Sequence, residues 1–477
     1  AMEAHVFETQ NKDAFVLMHE VGQLLFEAVT ETISKNDRIV IVSGFGNNGG
    51  DGLALHELLI KHQYQSRLYL LASPIYSHEN QSMQVILEKQ GIAFELVSHV
   101  DDNHFKNVDV IIDAIFGIGL NRDLDTSTQQ LFETLNRSHA KVISIDIASG
   151  LNANTGFKYS VCVKADVTYV VGAFKLGQFL FDGLDVSGQL QLLDVGFKDD
   201  GKGYMFIKGD QLTYTRKPRL KNVHKYHFKH VLVVGGSPSM MGAVALSATA
   251  ALYGGAGLVS LATPAQNYPY LRSLPYEIMT PYYEGEFELK AIVANKDVVA
   301  FGMGRSRDAR GLDELRVLLE SDKPLIVDGD GLFHLAQTTL PSRTQPLILT
   351  PHLKELSDLL KVDVGTIKQD IIKYVQVAHD RYQVTIILKG PTHIVAHQNE
   401  ITLYQVGNSA LATAGTGDVF AGLLACQLAY HSDVLQAIAS SLALYHQSAL
   451  LIKESHGEHG AIASDVLAAI RQVMVSM

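Results

Sequence analysis

Short apolar runs that end in glycine or serine recur along this chain, and they constrain its fold more than any other feature. Most of these runs are rich in β-branched residues, and helix-like segments lie between them. In the first half such runs lie at 38–46, 66–73, 108–119, 140–150 and 165–174. The pattern breaks in a polar, basic stretch and then restarts in the second half. Strands that alternate with helices predict parallel βαβ units, so we expect an α/β protein.

The length and composition indicate two globular domains. The chain has 477 residues, which exceeds the size of one ordinary core. Apolar residues make up 47% and charged residues 19%, a balance typical of globular rather than disordered proteins. The formal net charge of −11 argues against broad affinity for nucleic acids or acidic membranes. No uninterrupted apolar run is long enough to predict a membrane span.

The cysteines and the first residues bear on the cellular compartment. Cys162 and Cys426 form neither a metal-ligand spacing nor a disulfide framework, so a reducing cytoplasm is the simplest expectation. The opening AMEAHVFETQNKDAF is polar and acidic, and it does not predict a signal peptide. Ala1 before Met2 looks like a residue left by an expression tag.

A small-residue turn in the second half predicts an anion site. Gly415, Thr416 and Gly417 precede a helix-like apolar run. Free N–H groups and the positive end of the helix dipole would face this turn, which suits a phosphate. Asp418 follows at once and could accept a proton from a substrate hydroxyl as that oxygen attacks phosphorus. Taken alone, Asp418 could simply be a helix N-cap.

A second glycine-dense stretch, GFGNNGGDGL at 44–53, lies at a strand end in the first half. Its glycines do not have the G-x-G-x-x-G spacing of dinucleotide-binding turns. Its backbone N–H groups could hold a diphosphate, or it could be a tight loop without a ligand. Asn48, Asp113 and Ser149 together make a plausible all-oxygen cation site, which suits potassium rather than zinc.

Five ordered motifs of the second half carry a family resemblance. They are HVLVVGGSPSMMGAVAL, FGMGRS, LTPHLKEL, ILKGPTHIV and NSALATAGTGDVFAGLLA. From about residue 221 onward the chain resembles the ADP/ATP-dependent NAD(P)H-hydrate dehydratases of the ribokinase-like superfamily. The resemblance implies that Asp418 is the catalytic base. It implies a hydrate site at Ala243, Gly304, His352 and Asp418, and a nucleotide site at Lys389, Gly390, Pro391, Thr392, His393 and Gly417.

The same resemblance implies a reaction. The family phosphorylates the hydroxyl of the (6S)-hydrate and then expels phosphate, with ADP as the usual phosphoryl donor in bacteria and Mg²⁺ as the cofactor. Several of these residues also have simpler interpretations. Lys389 could be a solvated strand-end lysine, His352 a helix start, and Glu355 a first-turn residue without function. Asp328 and Asp330 could hold a magnesium-bound water or cap a turn.

Residues from about 2 to 196 resemble the YjeF N-terminal domain, the NAD(P)H-hydrate epimerase, including FDGLDVSGQLQLLDVGF near the end. The resemblance implies K⁺ at Asn48, Asp113 and Ser149, and Asp146 as the catalytic residue nearest the chemistry. It implies hydrate contacts at Asn47, Asn48, Gly49, Gly50, Asp51, Gly117, Ile118, Gly119, Leu120, Asn121, Arg122, Asp123 and Asp146.

The sequence departs from both family patterns at a few positions. Phe45 and Ala148 replace prolines of the epimerase pattern, which loosens two turns without removing a functional group. In the dehydratase half, Tyr226 stands where the family has the glycine of H-K-G, and Gly329 stands between two aspartates where the family has alanine. The Tyr226 change puts the local loop shape in question, and neither change touches Lys389 or Asp418.

Together these resemblances imply a bifunctional repair enzyme with two α/β domains. A Rossmann-like three-layer α/β/α domain is expected at 1–214 and a ribokinase-like domain at 215–477. The expected partners are NADHX, NADPHX and ADP, with no nucleic acid and no membrane. We also expect a homo-oligomer, and the small-residue helix at 242–257 fits either a subunit interface or the domain core. The alternative is an ATP-dependent small-molecule kinase fused to a non-catalytic binding module.

Overall fold

The chain divides into two compact units after Gly203. The computed structural model describes residues 13–197, 203–215, 220–271 and 274–476, so most of the opening peptide and part of the predicted junction at 198–230 lie outside it. The division falls within that junction and earlier than residue 214, because strand β8 (Met205–Lys208) pairs with the sheet of the second unit. In the described residues no helix combines the length and apolarity that crossing a membrane requires.

The first unit is built on a parallel sheet in the order β3-β2-β1-β4-β5-β6-β7, the order expected of a Rossmann-like fold. Its strands are β1 (Arg38–Ser43), β2 (Gln65–Leu71), β3 (Glu95–Val97), β4 (Val110–Ala114), β5 (Lys141–Ile145), β6 (Val167–Val171) and β7 (Gln189–Leu193). Its helices are α1 (Ala14–Thr30), α2 (Asn47–Lys61), α3 (His78–Gln90), α4 (Thr126–Arg137) and α5 (Gly183–Val186).

Alternate residues of the strands fill two cores, one on each face of this sheet. Ile39 and Ile41 pack on the side of α1, α2 and α3, whereas Val40 and Val42 pack with α4. Strands that are apolar on both faces are the signature of a parallel sheet covered by helices on both sides. The predicted three-layer α/β/α architecture is therefore confirmed.

The glycine-dense stretch at 44–53 is largely helical, which corrects its interpretation as a loop. Helix α2 begins at Asn47, with Gly46 as its N-cap, several residues before the helix-like run predicted from residue 52. A Cβ on Gly49 would lie 1.9 Å from the carbonyl oxygen of Gly44. The glycines therefore permit the first turn of α2 to touch the end of β1, and their low helix propensity is outweighed by this packing.

The second unit contains a mixed sheet in the order β11-β10-β9-β13-β14-β15-β16-β17-β18-β8, with β12 pairing beside β10. Its further strands are β9 (His230–Val234), β10 (Leu258–Pro264), β11 (Ile278–Met279), β12 (Tyr282–Tyr283), β13 (Val298–Phe301), β14 (Leu325–Val327), β15 (Leu347–Leu349), β16 (Thr385–Leu388), β17 (Thr392–His397) and β18 (Glu400–Gln405).

Helices cover this sheet and form most of the end of the chain, as predicted. They are α6 (Met241–Tyr253), α7 (Glu286–Ala294), α8 (Ala309–Leu319), α9 (Asp330–Leu335), α10 (Leu353–Leu360), α11 (Val364–Gln369), α12 (Ile371–Tyr382), α13 (Thr416–Tyr430), α14 (Val434–Gly460, interrupted at Gly457) and α15 (Ala463–Ser476).

The run TIILKGPTHIVA forms two strands rather than the single strand predicted. Strands β16 and β17 pair antiparallel, and Lys389, Gly390 and Pro391 make the turn between them. Proline and glycine favour such a reversal because proline fixes φ and glycine tolerates unusual backbone conformations. The hairpin places Lys389 at the carboxyl end of β16, beside the ends of the parallel strands.

The small-residue helix α6 belongs to the core of its unit. Ser247, Ala248 and Ala251 are fully buried, and a Cβ on Gly422 of α13 would lie 1.9 Å from the carbonyl oxygen of Ser247. The backbones of α6 and α13 therefore touch at this crossing. Of the two roles left open for residues 242–257, the structure supports core packing.

Two glycine-to-alanine substitutions, one at this crossing and one at the start of α6, are predicted to change the free energy of unfolding in opposite directions. Gly422→Ala should lower the free energy of unfolding by about 1–3 kcal/mol, because the new methyl group overpacks the contact with Ser247. Gly242→Ala on α6 meets no atom within 4 Å, and it should raise that free energy by about 0.4–1 kcal/mol. Chemical denaturation of the two variants measures both values. Equal stability of the two variants would contradict the close approach.

Candidate active sites

A cleft of about 610 Å³ opens at the carboxyl ends of β1 and β4 in the first unit. Ligands of parallel α/β folds bind at this edge of the sheet. The cleft is lined by Phe45, Gly46, Asn47, Asn48, Asp51, Ile115, Phe116, Gly117, Ile118, Gly119, Leu120, Asn121, Arg122, Asp146 and Val171.

Most residues predicted to contact the hydrate meet in this cleft. Three of the predicted residues do not line it. Gly49 and Gly50 belong to the first turn of α2 and face its packing partners, because a Cβ on Gly50 would come within 2.4 Å of the Met18 methyl. Asp123 follows the lining segment without being part of its wall. These glycines shape the site by packing.

The cleft offers groups for both ends of a dinucleotide. The N-terminus of α2, at Asn47 and Asn48, presents free N–H groups and a positive dipole end to an anion. Arg122 adds the positive charge among the lining side chains. The rings of Phe45 and Phe116 meet edge to face at 5.9 Å and give the wall an apolar surface.

Behind the cleft, Asp113 is completely buried at the end of β4. Its carboxylate accepts hydrogen bonds from the Ser149 hydroxyl at 2.5 Å, the Ser149 backbone at 2.9 Å, the Ser144 hydroxyl at 2.8 Å and the Ile115 backbone at 3.2 Å. Burial raises the pKa of this carboxyl, although the hydrogen bonds oppose that effect. The structure thus joins two of the three predicted potassium ligands directly.

Asn48 supplies the observation that bears on a cation. Both polar atoms of its buried side chain lack a hydrogen-bond partner in the structure. Unpartnered buried amides are costly, so such a group needs a ligand. Oxygens from an amide, a carboxylate and a hydroxyl suit a hard monovalent ion. The residues present therefore fit potassium at Asn48, Asp113 and Ser149.

Asp146 lies at the wall of the cleft in a strained conformation. Its φ is +68°, in the left-handed region that non-glycine residues rarely adopt. Its carboxylate accepts a hydrogen bond from the Val171 backbone at 3.1 Å and forms an ion pair with Lys175. Sequence reasoning missed Lys175, although it directly follows the strand pattern at 165–174. A lysine just beyond a strand end was the available signal.

In the second unit, Lys389 connects the hairpin turn to the neighbouring parallel strand. Its ammonium lies 2.5 Å from a carboxylate oxygen of Asp328, at the end of β14. A Cβ on Gly417 would lie 3.4 Å from that nitrogen, so the start of α13 faces the same point. The side chains of Lys389 and Asp328 are only 16% and 3% exposed, which rules out the simpler interpretation of a solvated lysine.

Two carboxylic acids near this pair have strongly perturbed acidity. Burial and the negative charge of Asp328 raise the pKa of Asp418 to about 7, while Lys389 opposes the shift. Burial also raises the pKa of Glu355 to about 7, and there too Lys389 opposes and Asp328 reinforces the shift. A carboxyl that changes protonation near neutral pH can act as a general base.

Glu355 and His352 form the start of α10. The imidazole of His352 accepts hydrogen bonds from the backbones of Lys354 and Glu355, and the Glu355 carboxylate accepts one from the His352 backbone at 2.8 Å. His352 is thus a helix start, as its simpler interpretation had it, and its half-exposed ring leaves a role toward the hydrate open. The interpretation of Glu355 as an ordinary first-turn residue missed its burial beside Lys389.

Asp328 and Asp330 have different environments. The carboxylate of Asp330 accepts hydrogen bonds from the Ser306 backbone at 2.9 Å and from Arg307 at 3.0 Å. Asp328 pairs with Lys389 instead. Asp330 thus connects β14 to the loop after β13, whereas Asp328 belongs to the charged cluster around Lys389.

The remaining predicted residues fall in two places. Ala243 and Gly304 are neighbours, because a Cβ on Gly304 would lie 3.2 Å from that of Ala243. Gly390, Pro391 and Thr392 continue the hairpin after Lys389. His393 is buried against the ring of Phe420, at 5.4 Å between ring centres, and burial lowers its pKa to about 4. The charge of Lys389 contributes to this shift, so the ring lies near the charged cluster around Lys389.

The carboxylates around Lys389 could hold magnesium only if the phosphate groups of a bound nucleotide supplied further oxygens to the ion. Within the described ranges, no group of three or more His, Cys, Asp or Glu side chains is arranged to hold a metal ion. Magnesium in phosphoryl-transfer sites usually takes one or two carboxylates and completes its shell with phosphate oxygens and water. Asp328 and Asp418 fit that pattern.

A Rossmann-like unit and a unit with a largely parallel mixed sheet, each with charged groups at its strand ends, define a two-domain α/β enzyme. Residues 14–177 match the family described as the YjeF-related protein N-terminus, and residues 231–472 match NAD(P)H-hydrate dehydratase. The bifunctional NAD(P)H-hydrate repair enzyme of Moorella thermoacetica is 31% identical over 443 residues, which cover 86% of this chain and 83% of that protein. The chain belongs to this family of bifunctional enzymes.

Further relatives agree with both halves of the match. The protein of the same name from Coxiella burnetii is 28% identical across 96% of this chain and 94% of its own length. A crystal structure of a ribokinase-like superfamily protein from Enterococcus faecalis matches with a TM-score of 0.51 and 26% identity, over 58% of this chain and 96% of that one. The predicted ribokinase-like fold of the second unit is confirmed.

The charges around Asp418 predict how its pKa responds to substitution. Asp328→Asn removes a neighbouring negative charge and should lower the pKa of Asp418 below about 7, whereas Lys389→Met removes the opposing positive charge and should raise it. Carbon NMR titration of aspartate-labelled protein measures both, with the resonance identified by its loss in Asp418→Asn. The exposed Asp313→Asn serves as control. Shifts in the same direction for both variants would contradict this electrostatic account.

Proposed function

We propose that the two units act in sequence on hydrated nicotinamide dinucleotides. The first unit interconverts the (6R)- and (6S)-hydrates of NADH and NADPH at the cleft beside α2. The second unit dehydrates the (6S) form with ADP, giving the reduced nicotinamide, AMP and phosphate. The second activity rests on the placement of Asp418 beside the Lys389–Asp328 pair, where burial raises the pKa of its carboxyl to about 7.

Asp418 is suited to start the dehydration by taking the proton of the hydrate's hydroxyl group. The freed oxygen attacks the terminal phosphorus of ADP, a new P–O bond forms, and the bond to the AMP oxygen breaks. Phosphate then leaves C6 and a proton leaves C5, so the C5–C6 double bond returns. The first step replaces hydroxide, a poor leaving group, by phosphate, a good one.

Lys389 and the start of α13 supply the positive field that phosphoryl transfer needs. The ammonium and the free N–H groups at Thr416 and Gly417 face the same point, where phosphate oxygens would lie. Magnesium, held by Asp328 and Asp418 with the nucleotide, would add neutralisation of the phosphate charge. Ala243, Gly304 and His352 are placed to border the hydrate, with Gly390 to His393 along the nucleotide.

In the first unit, the groups of the cleft divide by chemistry. Arg122 and the N-terminus of α2 are suited to the phosphates, and the Phe45 and Phe116 rings to the nicotinamide or adenine. Asp146 is one of two aspartates at the wall, with Asp51, and it takes part in acid–base chemistry at the hydrated carbon. Asn48, Asp113 and Ser149 would hold potassium, which would fix the loop at Gly117 that borders the cleft.

The decisive experiment follows the near-ultraviolet absorbance of reduced nicotinamide. With racemic NADHX, Mg²⁺ and ADP, the wild type should restore NADH, and Asp418→Asn should lower the rate at least about 100-fold through loss of the base. Asp313→Asn, an exposed aspartate of α8, should behave as wild type. Conversion beyond the fraction of (6S)-hydrate, faster than spontaneous exchange, would support the epimerase. A stable phosphate ester without NADH would overturn the proposal in favour of a kinase.

The potassium site predicts an ion-specific effect on the first unit. Replacing K⁺ by tetramethylammonium should slow epimerisation and lower the melting temperature, since a ligand of the folded state stabilises it. Asn48→Ala should abolish both responses while dehydration of pure (6S)-hydrate continues. Thermal melts and epimer analysis at constant ionic strength measure the effect. Equal responses of wild type and Asn48→Ala would show that the ion binds elsewhere.

A further inference from the structure

Lys175 lies in the segment after β6, and its ammonium binds two groups at the wall of the first cleft. It forms an ion pair with the carboxylate of Asp146 and donates a hydrogen bond to the carbonyl of Val171 at 3.0 Å. Both partners line the cleft. We propose that Lys175 is a catalytic residue of the epimerase, which exchanges a proton with the hydrate oxygen in partnership with Asp146. This inference rests on the epimerase activity proposed above.

The first argument is the placement of the pair. Asp146 follows β5 and Lys175 follows β6, so both lie at the edge of the sheet where ligands of this fold bind. Each side chain keeps 14% of its surface exposed, so both are largely shielded from water, and Asp146 also lines the cleft. An ion pair that only stabilised the fold would not need to lie at this edge.

The second argument is the scaffold that holds the pair. The Asp146 backbone keeps its strained φ of +68° while its N–H donates to the Tyr169 carbonyl at 2.7 Å. The buried amide of Gln178 donates to the Asp146 carbonyl at 2.9 Å and accepts from the Lys175 N–H at 2.9 Å. Gln178 therefore fixes the main chains of both residues. Such over-determined strain is typical of functional sites.

The third argument is that epimerisation at C6 requires one group that gives a proton and one that takes a proton, and Lys175 and Asp146 can supply both. At C6 the hydrate carries a hydroxyl group next to the ring nitrogen, whose lone pair can expel it. The C–O bond breaks, Lys175 gives a proton to the departing oxygen, and water and a cyclic iminium ion result. Water then adds to the opposite face of C6 and gives a proton to the Asp146 carboxylate.

The direct contact between the two residues closes the cycle. Asp146 returns its proton to the neutral Lys175 amine across their hydrogen bond, so the enzyme regains its starting state. Atoms and charges balance without any oxidant, reductant or further reactant, as epimerisation requires. In the reverse direction the same two groups serve the opposite epimer. The Asp146 carboxylate also stabilises the positive iminium ion between the two steps.

The test measures interconversion of pure (6R)-hydrate by chromatography of the full chain, without ADP so that dehydration is silent. Lys175→Gln should slow epimerisation at least about 100-fold. Lys175→Arg should keep the ion pair and the fold but lose a comparable share of activity, because guanidinium does not release its proton. Lys158→Gln, which removes a half-exposed lysine outside the cleft wall, is the matched control and should retain the wild-type rate.

Chemical rescue separates proton transfer from a structural role. Methylamine should accelerate Lys175→Ala several-fold and shift its pH dependence toward that of the added amine, whereas tetramethylammonium should have no effect. Full activity of Lys175→Gln or Lys175→Arg would overturn the inference, as would failure of every primary amine to rescue Lys175→Ala. Absence of epimerisation in the wild type would instead reject the epimerase proposal itself.

Discussion

In each unit, one helix that borders the site touches a neighbouring element backbone to backbone, and this contact determines where the site forms. In the first unit, Gly49 brings the first turn of α2 onto the end of β1, and the free N–H groups of that turn then face the cleft. In the second unit, α6 and α13 touch at Ser247 and Gly422, which fixes the start of α13 beside the strand ends. A side chain at either glycine would displace a helix N-terminus from the position where an anion is proposed to bind. The two glycines thus contribute no chemical group to the sites. They allow the close backbone contacts that position the helix N-termini.

Each site contains an ion pair between a lysine and an aspartate that are largely shielded from water, and the two pairs differ in their surroundings. Asp328 is almost completely buried, and its charge and that of Lys389 shift the pKa values of Asp418 and Glu355 in opposite directions. Without Lys389, the cluster of carboxylates would hold its protons more tightly and would repel a nucleotide. Lys175 is exposed to about the same degree as Lys389, but its partner Asp146 is more exposed than Asp328 and lines a cleft, where proton exchange with a ligand is possible. The exposure of the aspartate, rather than the residue types in the pair, distinguishes the electrostatic role proposed for the first pair from the chemical role proposed for the second.

The sequence predicted most of the fold and most of the residues that meet at each site. Parallel strands put their carboxyl ends at one edge, so glycine, serine and aspartate after apolar runs located Asn48, Asp113, Asp146 and Ser149 in advance. Other features depend on contacts that no local pattern contains. The helical state of Asn47 to Gly52 arises from packing against β1, and the hairpin at Lys389 arises from pairing between β16 and β17. Glu355 looked like an ordinary first-turn residue because its pKa depends on burial beside distant charges.

The crossing of α6 and α13 also has a mechanical consequence. Ala243 stands in the first turn of one helix and Asp418 in the first turn of the other, and the two helices touch backbone to backbone about one helical turn further along. Two helices that touch without intervening side chains can shift very little relative to each other. The neighbourhood of Ala243 and the proposed base Asp418 are thus held by one rigid helix pair, so the distance between them resists thermal fluctuation. Substitutions at the contact between α6 and α13, far from the proposed ligand sites, are therefore expected to misalign the proposed reacting groups before they unfold the protein.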